Sequence, residues 1–152
     1  HMVIGDNFFD CNCGNNGCFE TFASATAIIK YAEHLVETTD LPSKLRNLNT
    51  ITAKDVIDLS KEEDVIATLT YERFIKYLAK GIVNVMVLLD PERIALGGGV
   101  SGAGDYLLNR LNKEIEKQYF LSDFAKADIV ISELGNDAGI IGAAFVAKDH
   151  YA

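Results

Sequence analysis

Cys11-Asn12-Cys13-Gly14-Asn15-Asn16-Gly17-Cys18-Phe19-Glu20 holds every cysteine of the chain, three within eight positions. A disulfide framework spreads and pairs its cysteines, so an odd number crowded onto one Gly-containing loop points to metal. Three thiolates at this spacing suit one tetrahedral zinc ion without long-range closure, and a fourth ligand is then required. Of the three histidines, His34 falls inside a helical pattern, His150 lies near the far end and His1 lies upstream of the loop. A hairpin turning at Gly5-Asp6-Asn7, between Val3-Ile4 and Phe8-Phe9, would fold the start of the segment back over its end and makes His1 the natural candidate. His1-Met2 is also the dipeptide that a purification tag leaves behind, a reading that would remove it from the native chain. With four protein ligands no position stays open for an activated water, so the zinc expected here is structural, bracing a loop that has little apolar core of its own.

Outward from the loop, Phe22, Ala25, Ile28, Ile29, Ala32, Leu35 and Val36 recur at three- and four-residue steps and predict a helix from Phe19 to about Glu37. Pro42, Ser43, Asn47 and Asn49 mark a surface connection. Thr52 and Asp55 have the spacing of a capping box at the start of a short helix. A longer helix is expected from Glu62 to Leu89, and because its later half is apolar almost all round it should be the central buried one. Asp90-Pro91-Glu92 stops that helix. Arg93-Ile94-Ala95-Leu96 reads as a short buried strand ending in Gly97-Gly98-Gly99, followed by a helix from Gly102 to Phe120 and a second strand over Asp128-Ile129-Val130-Ile131. A Gly- and Ala-rich helix should run from Asp137 to the end, opening with an Asn136 or Asp137 cap and using its small residues for close packing. Strand, helix, strand implies a parallel βαβ unit with a right-handed crossover, hence an α/β fold. No repeat or linker divides the chain, so residues 1–152 are expected to form a single domain.

The 152 residues are 49% hydrophobic and 24% charged, ordinary for a globular protein and enough to bury a core. A net charge of −8 argues against binding a phosphate backbone, so nucleic acid is not an expected partner. The apolar run Gly81–Leu89, interrupted by Asn84, is far short of the ~20 residues of a membrane helix, and the opening residues carry no secretory pattern, which together predict a cytoplasmic protein. Gly97-Gly98-Gly99-Val100-Ser101-Gly102 satisfies the dinucleotide fingerprint Gly-x-Gly-x-x-Gly, with Glu133 after the next strand. A single βαβ unit preceded by a long, mostly helical segment is nevertheless a poor dinucleotide domain, and the absence of Gly-Lys-Ser/Thr excludes a Walker loop.

In their order along the chain these motifs resemble the ROK family (repressors, open reading frames and kinases). Cys11, Cys13, Gly14, Gly17, Cys18 and Glu20 match its Cys-x-Cys-Gly-x-x-Gly-Cys-x-Glu signature, and His1 precedes Cys11 with nine residues between them, as the family's zinc-ligating His does. That spacing favours a native His1. The resemblance implies the C-terminal lobe of an actin-like ATPase (ribonuclease H-like) sugar kinase with a zinc-braced loop, whose metal ligands are His1, Cys11, Cys13 and Cys18. It also implies that Glu20 and His1 contact sugar hydroxyls. Glu20 alone would otherwise be read as a carboxylate complementing a helix dipole. The stretch Pro91–Ser101 is similar to the family's adenosine-binding turn, which implies nucleotide contacts at Gly97, Gly98 and Gly99. Gly135–Ala144 is similar to its closing motif.

The function so implied is part of an ATP-dependent hexose kinase, making glucose 6-phosphate from glucose with ATP and magnesium, with zinc structural. A complete kinase of the family is roughly twice as long, and its N-terminal lobe carries an Asp-Gly-Gly-Thr phosphate loop and an Asn-Asp pair whose Asp is the general base. Neither motif is found in these residues, so no catalytic residue is assigned and the chain alone is expected to be inactive. The alternative is the sugar-sensing part of a ROK transcriptional repressor. Glu20-Thr21-Phe22-Ala23-Ser24 and the full Gly97-Gly98-Gly99 turn look more like the kinases. A face left bare by the absent lobe would favour self-association, so a homo-oligomer is expected.

Overall fold

The computed structural model describes residues 1–120 and 126–151. The opening segment does not form the expected hairpin. Val3 instead bridges Cys18 in antiparallel sense, Ile4 N donates to Gly17 O (3.0 Å) and Phe19 N donates to Met2 O (2.7 Å). A second bridge, Asp10 with Asn16, closes a tight turn in which Cys11 N donates to Asn15 O and Gly14 N to Cys11 O, both at 2.9 Å. Gly17 permits the first pairing: its φ is +81°, and a Cβ there would lie 1.7 Å from Gly5 O.

Phe19–Thr21 form one 3-10 turn, and helix α1 spans Ala25–Thr38, six residues later than the periodicity predicts. Two hydroxyls set that boundary. Thr21 Oγ1 donates to Cys18 O (2.7 Å), and Ser24 Oγ caps α1 by accepting from Ala27 N (3.1 Å). Helix α2, Ala53–Lys61, opens on the expected capping box: Thr52 Oγ1 accepts from Asp55 N (3.1 Å), and Asp55 Oδ2 accepts from Thr52 N (3.0 Å).

Helix α3, Val65–Leu89, starts at the Asp64 cap rather than at Glu62. The Asp64 carboxylate accepts from Ala67 N (3.1 Å), Ser43 Oγ (2.6 Å) and Lys44 N (2.7 Å), tying the preceding 3-10 turn, Lys44–Asn47, to the helix. Burial pushes its pKa up, but these three donors and the Lys44 charge outweigh that and hold it below the ordinary aspartate value. A depressed folded-state pKa adds stability above the unfolded pKa of about 3.9, and that contribution disappears as pH falls through the folded value. Asp64→Ala should therefore cost about 1–2 kcal/mol in urea denaturation at pH 7, and the gap to wild type should narrow below about pH 4.

Helix α3 is the central element, packed by α1, by α2 and by helix α4, Asp105–Gln118. Ile28, Val56, Ile66, Tyr71, Leu107 and Leu111 are all but inaccessible at their junction. Strands β1, Arg93–Leu96, and β2, Asp128–Ile131, pair in parallel with Arg93 opposite Asp128 and Leu96 opposite Ile131. Ile129 joins the core, whereas Arg93 and Ala95 are exposed, so β1 is not the buried strand its composition suggested. With only two strands among the described residues, one face of β1 has no layer over it.

The same is true of the end of α3, where burial stops at Met86 and Leu88 and Leu89 are 74% and 73% exposed. Helix α5, Ala138–Tyr151, packs chiefly against the Gly135–Asp137 turn before it, and Ile140, Phe145 and Val146 are exposed. A Cβ at Gly139 or Gly142 would meet nothing within 4 Å, so the close packing expected of these small residues is not supplied by the described residues. The Asn136 side chain, one of the two expected caps, and Ala152 lie outside the described residues. Among the described residues no helix is long and apolar enough to cross a membrane.

Candidate functional site

Pairing residues 2–4 with 17–19 carries the chain start directly over the cysteine turn. One ligand atom from each of His1, Cys11, Cys13 and Cys18 lies within 4.8 Å of the others. Cys11 Sγ is 3.5 Å from His1 Nδ1, and Cys13 Sγ is 3.6 Å from Cys18 Sγ. Sulfurs that far apart are not a disulfide, and all three cysteines are free. A tetrahedron with metal–sulfur bonds of about 2.3 Å has edges of about 3.8 Å, so both contacts are close to the edges of a four-ligand zinc site.

Two of the four candidate ligands are sunk into the fold and two face outward. Cys11 and Cys18 are buried, while His1 and Cys13 are exposed. A backbone hydrogen bond from Asn15, with help from the Cys11 and Cys18 thiols, holds the Cys13 thiol below its ordinary value. Burial, together with the neighbouring thiols, pushes Cys18 up to about 11. A cation seated among these groups would have to displace the Cys18 proton, so occupancy must weaken on acidification.

Glu20 sits on the 3-10 turn immediately after the cysteines, exposed, and its carboxylate has no hydrogen bond or ion pair among the described residues. Because α1 begins only at Ala25, Glu20 is not in that helix's first turn, and complementing a helix dipole does not account for it. It lines a small cavity of about 80 Å³ together with Asp10, Asn12, Ser24, Thr26 and Lys30. Ser24 also lines a larger cleft of about 370 Å³, walled by Phe74, Leu78 and Leu107 and floored by Leu96, Gly97, Gly98 and Gly99. The two spaces thus adjoin at the N-terminus of α1.

Of the three glycines only Gly98 needs its residue type for backbone reasons, with φ +84°. A Cβ on Gly98 or Gly99 would meet nothing within 4 Å among the described residues, which leave the room beside them open. The chain then turns through a 3-10 segment, Gly99–Ala103, held by Ser101 Oγ donating to Gly98 O (2.6 Å).

Sequence reasoning missed the residues that hold this site together. Asn7, read only as part of a turn, and Asn16, given no role, lace the loop: Asn7 N donates to Asn16 Oδ1 (2.8 Å), and Asn16 Nδ2 donates to Asn7 O and Asp10 Oδ1, both at 2.9 Å. The Ser24 cap was legible, since a serine directly precedes the first helical residue.

A cluster of three thiols and an imidazole braced on a helical core, with a glycine turn between the first strand and the helix of a parallel βαβ unit, defines an α/β protein with a metal-type loop. The chain belongs to the ROK family, whose model matches residues 1–150. It is 39% identical over 150 residues to a glucokinase of Halalkalibacterium halodurans, covering 96% of this chain and 45% of that protein. It is 29% identical over 146 residues to a xylose repressor of Caldicellulosiruptor bescii, covering 93% of this chain and 36% of the repressor. The crystal structure of a ROK family glucokinase from Streptomyces griseus, in complex with glucose and AMPPNP, matches with a TM-score of 0.82 at 24% identity, over 98% of this chain and 50% of that one. The fold is therefore that of the matched half of a ROK sugar kinase, of the actin-like ATPase class. The chain spans about half the length of the relatives it matches, or less.

Proposed function

We propose that this chain is the sugar- and adenosine-facing part of a cytoplasmic, ATP-dependent hexose kinase that converts glucose to glucose 6-phosphate, with one structural zinc held by His1, Cys11, Cys13 and Cys18. The observation that carries this reading is the placement of Glu20: a carboxylate unpaired among the described residues, on the turn that leaves the cluster of His1, Cys11, Cys13 and Cys18, beside a cavity that adjoins the glycine-floored cleft at Ser24. A carboxylate with two open oxygens can accept from two sugar hydroxyls at once, and a loop braced at its base keeps it in place before substrate arrives. His1 would add a second sugar contact from the loop.

Gly97, Gly98 and Gly99 would let the backbone approach the adenosine of ATP, in the cleft whose room the protein leaves unfilled. In such a kinase a sugar hydroxyl oxygen bonds to the γ-phosphorus as the bond to ADP breaks, and the hydroxyl proton passes to a base. Magnesium neutralises charge on the phosphates when bound. The present residues bind and orient; the reading assigns no base among them. Similarity to a glucokinase supports the kinase assignment.

Isothermal titration with glucose tests the assignment. Glu20→Gln should weaken glucose binding about 10- to 100-fold, the scale of a hydrogen bond to a charged group, while zinc content stays at one per chain. Unchanged affinity would remove Glu20 from the sugar site. The second reading, a sugar-sensing part of a repressor, is favoured by the similarity to the xylose repressor. It predicts glucose or xylose binding with no ATP binding, whereas the kinase reading predicts that ATP binds and that Gly98→Val, which would fill the cleft floor, abolishes it.

A further inference from the structure

Residues 1–22 have little core of their own and lie against one face of α3. Arg73, Tyr77, Lys80 and Gly81 follow one another at steps of four, three and one, which places them on one side of that helix within about two turns. The Phe19 ring occupies the space at Gly81, where a Cβ would come within 2.3 Å of it. Lys80 Nζ donates to Ile4 O (2.6 Å), and the Tyr77 ring stacks on Phe22 at 4.1 Å.

Arg73 is the centre of this face. Its guanidinium lies 4.9 Å, 4.3 Å and 5.1 Å from the rings of Phe22, Tyr31 and Tyr77, and Nη2 donates to Asn7 Oδ1 at 2.9 Å. Among the described residues no carboxylate pairs with it. Partly burying a cation without a counter-ion is unfavourable; the three aromatic faces offset this, and leave the bond to Asn7 as its one directed polar contact among the described residues.

Asn7 passes that contact on in two directions. Its Nδ2 donates to Thr21 O (2.8 Å), the residue after Glu20, and its backbone N donates to Asn16 Oδ1 (2.8 Å), between Cys13 and Cys18. We propose that Arg73 is a positioning residue which, through Asn7, fixes the turn that presents Glu20 to the sugar. The role rests on the assignment of Glu20 to the sugar site. Lysine cannot replace it, because an ammonium has no flat face to lie against three rings and no fork to aim at Asn7.

The test compares Arg73→Lys with wild type and with Leu45→Val, a core substitution on the Lys44–Asn47 turn that destabilises without touching the loop. Three quantities are measured on each: zinc per chain by native mass spectrometry, glucose affinity by titration, and hydrogen exchange at the amides of Thr21, Phe22 and Ala23, which close the Glu20 turn onto Cys18 O and Phe19 O. Arg73→Lys should keep one zinc, bind glucose about tenfold more weakly and exchange those amides about tenfold faster, in line with losing cation–aromatic contacts and one charged hydrogen bond. Leu45→Val should change neither affinity nor local exchange. The role is overturned if Arg73→Lys matches Leu45→Val in both. Should wild type bind no glucose, the sugar assignment fails separately, and exchange at Thr21–Ala23 alone decides whether Arg73 orders the turn.

Discussion

Cys18→Ser should yield a chain that carries no zinc, where the wild type is expected to carry one ion. Cys18 is fully buried beneath the loop, and its sulfur lies 3.6 Å from that of Cys13, so it would serve both as a ligand of the proposed zinc and as part of the packing. Serine would leave a buried hydroxyl in that place, a cost of about 1–3 kcal/mol if it finds no partner, and would remove one of the four bonds to the proposed zinc, whose binding would contribute to folding directly. Cys18→Ala separates the two effects, since it deletes the ligand without burying a hydroxyl. Both should read as metal-free in native mass spectrometry, and both should resemble chelator-treated wild type by circular dichroism and by exchange at residues 2–4 and 17–19. Retention of one zinc per chain by Cys18→Ala would break the link between the cysteine cluster and the metal. Titrating zinc at falling pH gives an independent check: release should accompany protonation of the thiols, because the buried Cys18 holds its proton tightly when no cation is present.

Gly17→Ala should be nearly as damaging, although it removes no ligand. The new Cβ would stand 1.7 Å from Gly5 O and 2.9 Å from Gly5 C, both backbone atoms that cannot swing aside. The φ of +81° is a further penalty for any residue with a side chain. Relief requires residues 2–4 to move off residues 17–19, which breaks the Ile4 N to Gly17 O bond and takes His1 away from the cysteines. A loss of about 3–5 kcal/mol in urea denaturation is expected, with zinc affinity lowered by at least about tenfold. Gly14→Ala is the control. Its φ is +91° but nothing lies within 4 Å of the added carbon, so it should cost only about 1–2 kcal/mol. Equal effects at the two positions would show that the close backbone approach at Gly17 does not matter.

The sequence by itself determined the elements that depend on local chemistry. The Thr52–Asp55 capping box, the extents of β1 and β2 and their parallel pairing are all found where composition and spacing put them, because caps, glycine stops and short β-branched runs act within a few residues. The four-residue cluster was legible for a different reason: thiolates have few uses when crowded onto one loop. Tertiary structure alone decided how His1 reaches that cluster, because pairing residues 2–4 with 17–19 depends on the backbone contact at Gly5 and Gly17, which no periodicity encodes. Whereas the start of α1 was set locally, by Thr21 and Ser24 hydroxyls that overrode an apolar repeat, tertiary structure likewise decided the exposure of β1, Leu88 and Leu89, since burial depends on whether another layer covers a face. Arg73 belongs to this second group: in sequence it is one charge on an amphipathic helix, and only the meeting of α3 with Phe22, Tyr31 and Asn7 gives it a role.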